Sequence, residues 1–173
     1  DAQFLAEMPK SQLIDLLMLH IRNLWRVDGL YFMGIEDKFG TDAATEIDAN
    51  CWKIMGKLEA RELRENLGMN KGEMDIATVL WILRNTSWAL YQVGKEVEMQ
   101  DDKSGVFRVT KCRTQETRIQ KELGEFPCKK VRYGYLKSFA EELNPELEVV
   151  CRTCPPDSHS VGTWCEWEFR KKK

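Results

Sequence analysis

Residues Trp88–Thr110 read WALYQVGKEVEMQDDKSGVFRVT, and the period of their apolar positions decides the fold. Trp88, Leu90, Val93, Val97 and Met99 recur mostly at even or near-even spacing, which suits a strand better than a helix. Gly94 within this run predicts a bulge. Gln100 to Gly105 is polar and ends in glycine, as a hairpin loop does, and Val106–Thr110 alternates as the return strand. Two further strands are expected at Leu147–Cys151 and Thr163–Phe169. Short helices are expected at Thr114–Leu123 and Tyr135–Leu143, the second stopped by Asn144-Pro145.

Upstream of Trp88 the period is helical. Ser11 reads as a cap for a first helix carrying Leu13, Ile14, Leu16, Leu17, Ile21, Leu24 and Trp25. The pattern continues through Leu30, Phe32 and Ile35 to a stop at Gly40. Thr41 or Asp42 caps a long helix with Ile47, Cys51, Ile54, Met55, Leu58 and Leu63 on its apolar stripe, ending before Gly68. That stripe predicts Cys51 in the core. A shorter helix is expected over Glu73–Leu83. The expected architecture is α+β: one domain over 1–173, with a helical layer (1–86) packed on a small antiparallel sheet of about four strands (87–173) that carries the cysteine-rich site.

Composition narrows the function classes. The chain has 173 residues, 43% of them hydrophobic, enough for a full core. Its 26 basic and 28 acidic residues leave a net charge of −2. The basic residues are dispersed, so no nucleic-acid partner is expected. No apolar run approaches membrane-spanning length, so no membrane partner is expected either. Asp1–Lys10 lacks the basic and apolar regions of a secretion signal. Together with clustered thiols in a chain that has an ample core, this points to a cytoplasmic protein rather than a disulfide framework.

The cysteines are the strongest chemical signal. Cys51 stands alone, whereas Cys112, Cys128, Cys151, Cys154 and Cys165 crowd the C-terminal part. Cys151-Arg-Thr-Cys154-Pro-Pro-Asp157 places two sulfurs where they can share one ion. Cys165 opens the next strand, so three thiols meet at one end of a hairpin, and Cys128 supplies a fourth from a loop. Four thiolates with no open position is the structural zinc pattern. An iron–sulfur cluster takes the same four thiolates, His159 could replace one of them, and reduced cysteines packed as small hydrophobes are the plain alternative. Cys112 lies between a strand and a helix, flanked by Lys111 and Arg113. The helix dipole and those charges would lower its pKa and make it a candidate catalytic nucleophile, with packing under the helix as the alternative.

Thr110-Lys-Cys112-Arg113, Gly124-Glu-Phe-Pro-Cys128, Cys151-Arg-Thr-Cys154-Pro-Pro-Asp157 and Trp164-Cys165-Glu-Trp-Glu-Phe169 resemble a family of uncharacterised cytosolic proteins from anaerobic bacteria and archaea. Trp25-Arg-Val-Asp28-Gly29 and Glu36-Asp-Lys-Phe39-Gly40 extend the match over most of the chain. More distantly, the chain is similar to the L-2-amino-thiazoline-4-carboxylic acid hydrolase family, with counterparts at Cys112, Phe139–Pro145 and Cys165. It also resembles vinyl-reductase-like ligand-binding domains, whose zinc is held by three cysteines and a glutamate. There Cys128, Cys154 and Cys165 match the cysteines and Cys151 the glutamate. The resemblance implies a helical layer over an antiparallel sheet, a small-molecule pocket between the layers, and a homodimer.

Two functions follow as expectations. The first is a small-molecule-binding or sensing domain with a structural zinc on Cys128, Cys151, Cys154 and Cys165. Its pocket would be lined by Trp25, Phe32, Trp81, Trp88, Tyr91 and Phe107. The second is a hydrolase of a small amide or cyclic amidine using Cys112. His20 and His159 are the only histidines available as its base, and neither lies near it in sequence.

Overall fold

Gly40 adopts a φ of 85°, which an L side chain resists, and this ends one long helix and starts the next with no intervening loop. The computed structural model describes residues 1–70 and 74–172. A short α1 (Ala2–Ala6) precedes α2 (Lys10–Phe39), which folds back at Gly40 onto α3 (Thr41–Asn66). Asp75 then caps α4 (Ile76–Leu83), its carboxylate accepting from the Thr78 N–H at 2.8 Å. The expected start of that helix at Glu73 lies outside the described residues. Thr86 caps α5 (Ser87–Tyr91).

The strands are β1 (Gly94–Met99), β2 (Ser104–Lys111), β3 (Leu147–Thr153) and β4 (Cys165–Lys171), with α6 (Arg113–Gln120) and α7 (Lys129–Leu143) between β2 and β3. All neighbours are antiparallel, in the order β1-β2-β4-β3. The hairpin read from Trp88–Thr110 is present, with Val97 opposite Phe107 and a register shift at Gly94/Lys95 where a bulge was expected. The protein is therefore an α+β domain with four antiparallel strands.

One face of the sheet is polar and one apolar. On the polar face Arg108 bonds Glu96 at 2.8 Å and Glu166 at 2.6 Å, and Arg152 bonds Glu166 and Glu168. On the apolar face Phe107, Trp167, Phe169 and Val149 are buried together with Tyr135, Leu136 and Phe139 of α7. Helix α7 stands between the sheet and α3. Its contact with α3 is close because position 56 is glycine: a Cβ there would collide with the Tyr135 carbonyl. Each large apolar side chain fully buried here contributes roughly 1.5–3 kcal/mol.

Three expectations are corrected. Trp88–Tyr91 is helical rather than the start of a strand, because Thr86 caps that turn and burial of Trp88 and Ala89 overrides the local alternation. Helix α7 begins at Lys129, six residues before the expected Tyr135, with Cys128 at its N-cap. Cys51 is exposed. The buried stripe of α3 runs through Ala49, Trp52, Gly56 and Ala60, which turns Cys51 about 100° away from the core together with exposed Ile47 and Ile54.

Candidate functional site: an aromatic pocket with two carboxyls beside a thiol cluster

Helix α2 presents Trp25 and Phe32 inward, one on either side of Asp28. The Trp25 ring is sandwiched between Trp52 of α3, at 4.5 Å and 4°, and Tyr91 of α5, at 5.3 Å and 14°. Its Nε1 donates to the Ser87 carbonyl, so stacking and a hydrogen bond together hold the ring. Trp52 Nε1 donates to Asp28 Oδ1 at 3.0 Å.

Trp25, Arg26, Asp28, Phe32 and Met33 of α2, Asp48 of α3, Tyr91, Thr114, Thr117 and Arg118 of α6, and Leu123 and Phe126 of the following loop line a pocket of about 370 Å³. The far wall is pinned on both sides. Gln115 exchanges two hydrogen bonds of 2.8 Å with the Phe126 backbone. Arg118 grips the Glu36 carboxylate with two nitrogens, at 2.9 and 3.0 Å, and also donates to the Leu123 and Gly124 carbonyls. That guanidinium holds Glu36 below the usual carboxylate range.

Two carboxylates share the floor. Burial pushes Asp28 up despite its bond from Trp52. Burial, reinforced by the charge of Asp28, pushes Asp48 up to about 7. Behind them sits Arg132 of α7, only 3% exposed, with its guanidinium 4.3 Å from the Trp88 ring centre and 4.9 Å from that of Tyr135. Its Nε and Nη1 have no hydrogen-bond partner, so its charge is met by aromatic faces and by the field of the carboxylates.

The six expected pocket residues divide evenly. Trp25, Phe32 and Tyr91 line the pocket. Trp88 and Phe107 pack against each other in the core at 5.2 Å, and Trp81 is exposed. Side chains fill the space between sheet and helices, and the pocket opens instead between α2 and α6. Sequence reasoning missed Asp48, Arg132 and Phe126. Asp48 and Arg132 are polar residues on helices whose apolar neighbours set the pattern, and nothing in spacing marks them.

Beneath the pocket lies the thiol cluster. Cys154 is buried and hydrogen-bonds both Cys128 and Cys165. Those two contacts hold its proton and push its pKa far up. The Cys154 contact, with help from Arg132, brings Cys128 down. Cys151 and Cys112 lie within electrostatic reach of Cys128 and Cys165, and burial raises Cys151 to about 11. Among the described residues, no group of three or more His, Cys, Asp or Glu converges as a ready metal-ligand set.

The expected lowering of the Cys112 pKa is reversed. Burial and the neighbouring Cys165 push it up to about 12, outweighing the backbone N–H groups at the start of α6. Arg113 is turned away, donating to the Tyr91 carbonyl at 2.9 Å and lying over the Tyr91 ring. No imidazole reaches Cys112: His20 is exposed on α2, and His159 contacts Ser160, Glu125 and Trp164.

The fold and pocket define an α+β domain with a partly enclosed aromatic cavity that carries two carboxyl groups, near buried thiols. The chain belongs to a family of unknown function (DUF6125), whose pattern covers residues 6–171. No curated protein matches it. No described helix is long and apolar enough to cross a membrane.

Proposed function

We propose that this is a small-molecule-binding domain whose ligand is flat, partly apolar and bears a cationic nitrogen, and that Cys128, Cys151, Cys154 and Cys165 hold a structural zinc below the pocket. The observation that carries the ligand reading is the placement of Asp28 and Asp48 at the floor of a cavity walled by Trp25, Tyr91, Phe32 and Phe126. Two carboxylates held near each other in a partly dry site are better satisfied by a cation than by one another. The stacked aromatic wall favours a planar body, and cation–π attraction adds to the preference. Arg26 and Lys121, also on the lining, suit a ligand carboxylate on the same molecule.

The metal reading is supported by donor chemistry. Three soft sulfurs, those of Cys128, Cys154 and Cys165, already hydrogen-bond one another, and a divalent ion would displace their protons. Such an ion would join the loop before α7 to the β3–β4 hairpin and thereby brace the pocket from below. Hydrolysis of a cyclic amidine through Cys112, which the family resemblance implied, gains no support from that thiol's surroundings.

Calorimetric titration with benzylamine and its neutral isostere benzyl alcohol tests the ligand reading. Benzylamine should bind and benzyl alcohol should not, and Asp48→Asn should abolish the difference. Equal binding of the two probes refutes a carboxylate-directed site. Elemental analysis of the purified chain should give one zinc per protein, lost in Cys154→Ser. Iron with visible absorption would favour a cluster, and a metal-free protein would leave the cysteines as packing residues.

A further inference from the structure

Among the described residues, nothing covers the outer face of α2. No residue of α1 is buried, and the first buried residue of α2 is Ile21. Yet the segment before Ile21 carries Leu13, Ile14, Leu16, Leu17, Met18 and Leu19. Along the whole helix Leu13, Leu17, His20, Leu24, Val27 and Tyr31 recur with steps of four, three, four, three and four. This is the 3.5-residue period of a coiled-coil seam. At 100° per residue these six fall in a stripe about 80° wide, roughly a quarter-turn from Ile21, Trp25 and Phe32, which face the body. Leu17 is 54% exposed, Leu24 44%, Val27 51% and Tyr31 72%. Leu16 widens the stripe on one flank. Of the charged residues between Leu13 and Tyr31, Asp15, Arg22 and Arg26 point elsewhere around the helix, and Asp28 is tied into the fold by its bond from Trp52.

We infer that this seam is a self-association surface, and that its occupant is a second copy of the chain packed antiparallel along α2. Two properties of the seam select that occupant. First, it is self-complementary. A two-fold axis crossing near residue 22 sets Leu13 against Tyr31, Leu17 against Val27, and His20 against Leu24, with no charge opposed to any apolar position; such isologous pairing is how C2 dimers form. Second, its extent fits. From Leu13 to Tyr31 the seam is about 27 Å long. The exposed apolar surface continues beside the seam through Phe4, Leu5, Ile14 and Leu19, extending it toward the ~800 Å² per partner of a stable specific interface. The antiparallel direction follows from support. The half of α2 before Ile21 meets the body only through part-buried Met18, and antiparallel packing lays it along the partner's anchored half. Parallel packing would set the two lightly supported halves together and place His20 against its own copy.

No seam residue lines the pocket, whose α2 contacts include Trp25, Arg26, Gly29, Leu30 and Met33. Disrupting the dimer therefore leaves ligand binding in place, so this inference and the proposed function succeed or fail separately.

Sedimentation and light scattering of the full chain at about 100 µM, above the dissociation constant expected of such an interface, read the assembly directly. The expected mass is twice the 20.2 kDa of one chain. Leu17→Glu with Leu24→Glu should halve it while the circular dichroism of the domain persists. Val161→Glu, at a fully exposed loop position, should leave it dimeric. In a Cys51→Ser background, Leu17→Cys with Val27→Cys should form an inter-chain disulfide on mild oxidation, whereas Leu17→Cys alone should not. A monomeric wild type, or a dimer that survives both glutamates, overturns the inference. Efficient cross-linking of Leu17→Cys alone overturns the antiparallel arrangement.

Discussion

Replacing Asp48 with asparagine should stabilise the protein, by an amount that grows as pH rises from about 5 to about 7 and is constant above that. The Asp48 carboxyl ionises near 7 in the fold against 3.8 for the ordinary side chain, chiefly through burial and then through the charge of Asp28. Because the native value is the higher one, the folded state holds this proton more tightly than the unfolded chain between those two values. Its contribution is most favourable below the unfolded value and declines as pH rises toward 7, then levels off. A rise of about three units at ~1.4 kcal/mol each puts the full cost of ionising Asp48 on the order of 4 kcal/mol. Loss of its bond from Trp52 and compaction of the unfolded chain reduce the net gain to roughly 2–3 kcal/mol. Urea denaturation of wild type and Asp48→Asn at pH near 5 and near 8.5 measures the difference between the two proteins, in which the other titrating groups largely cancel. The variant should match wild type at the lower pH and exceed it at the higher. A variant equally destabilised at both values would refute the reasoning, since Asp48 would then be a structural hydrogen-bonding group instead of a charge kept at a cost.

Gly56→Ala should lower the urea midpoint by the equivalent of about 2–4 kcal/mol, because its methyl meets the Tyr135 carbonyl where α3 and α7 cross. Gly34→Ala, on α2 with open space around it, should instead raise stability by about 0.5–1 kcal/mol. Arg118→Ala should cost about 2–4 kcal/mol, because it leaves the part-buried Glu36 carboxylate unpaired and frees the loop ending at Phe126; rapid amide exchange at Phe126 would report that release. Iodoacetamide should label exposed Cys51 slowly at neutral pH and faster as pH rises, since partial burial and Asp48 raise its thiol, and should leave Cys112, with its pKa near 12, unreacted; fast labelling of Cys112 would restore it as a nucleophile candidate.

The period of the apolar residues alone determined the class of this fold. The helical stripes before Trp88, the alternation of Val106–Thr110 and the glycine stops at Gly40 and Gly68 are local signals. Each records which side of a segment turns from water, so α2, α3, the β1–β2 hairpin and the later strands could be read directly. The approach of Cys154 to Cys165 was also legible, since Cys154 directly follows β3 and Cys165 opens its partner β4, whereas the contact of Cys154 with Cys128 depends on where the loop before α7 packs. Trp88–Tyr91 could not be read, because its alternation matches a strand and only the Thr86 cap and burial of Trp88 against Phe107 make it helical. The pocket was decided by tertiary structure. Trp88 and Phe107 have the same composition signal as Trp25 and Tyr91, but they were consumed in filling the gap beneath the sheet. Asp28 and Asp48 come from different helices, and their raised pKa values arise only when α2 folds back at Gly40 and buries them together above Arg132. Charge state depends on distance and desolvation, quantities that exist only once the chain has packed.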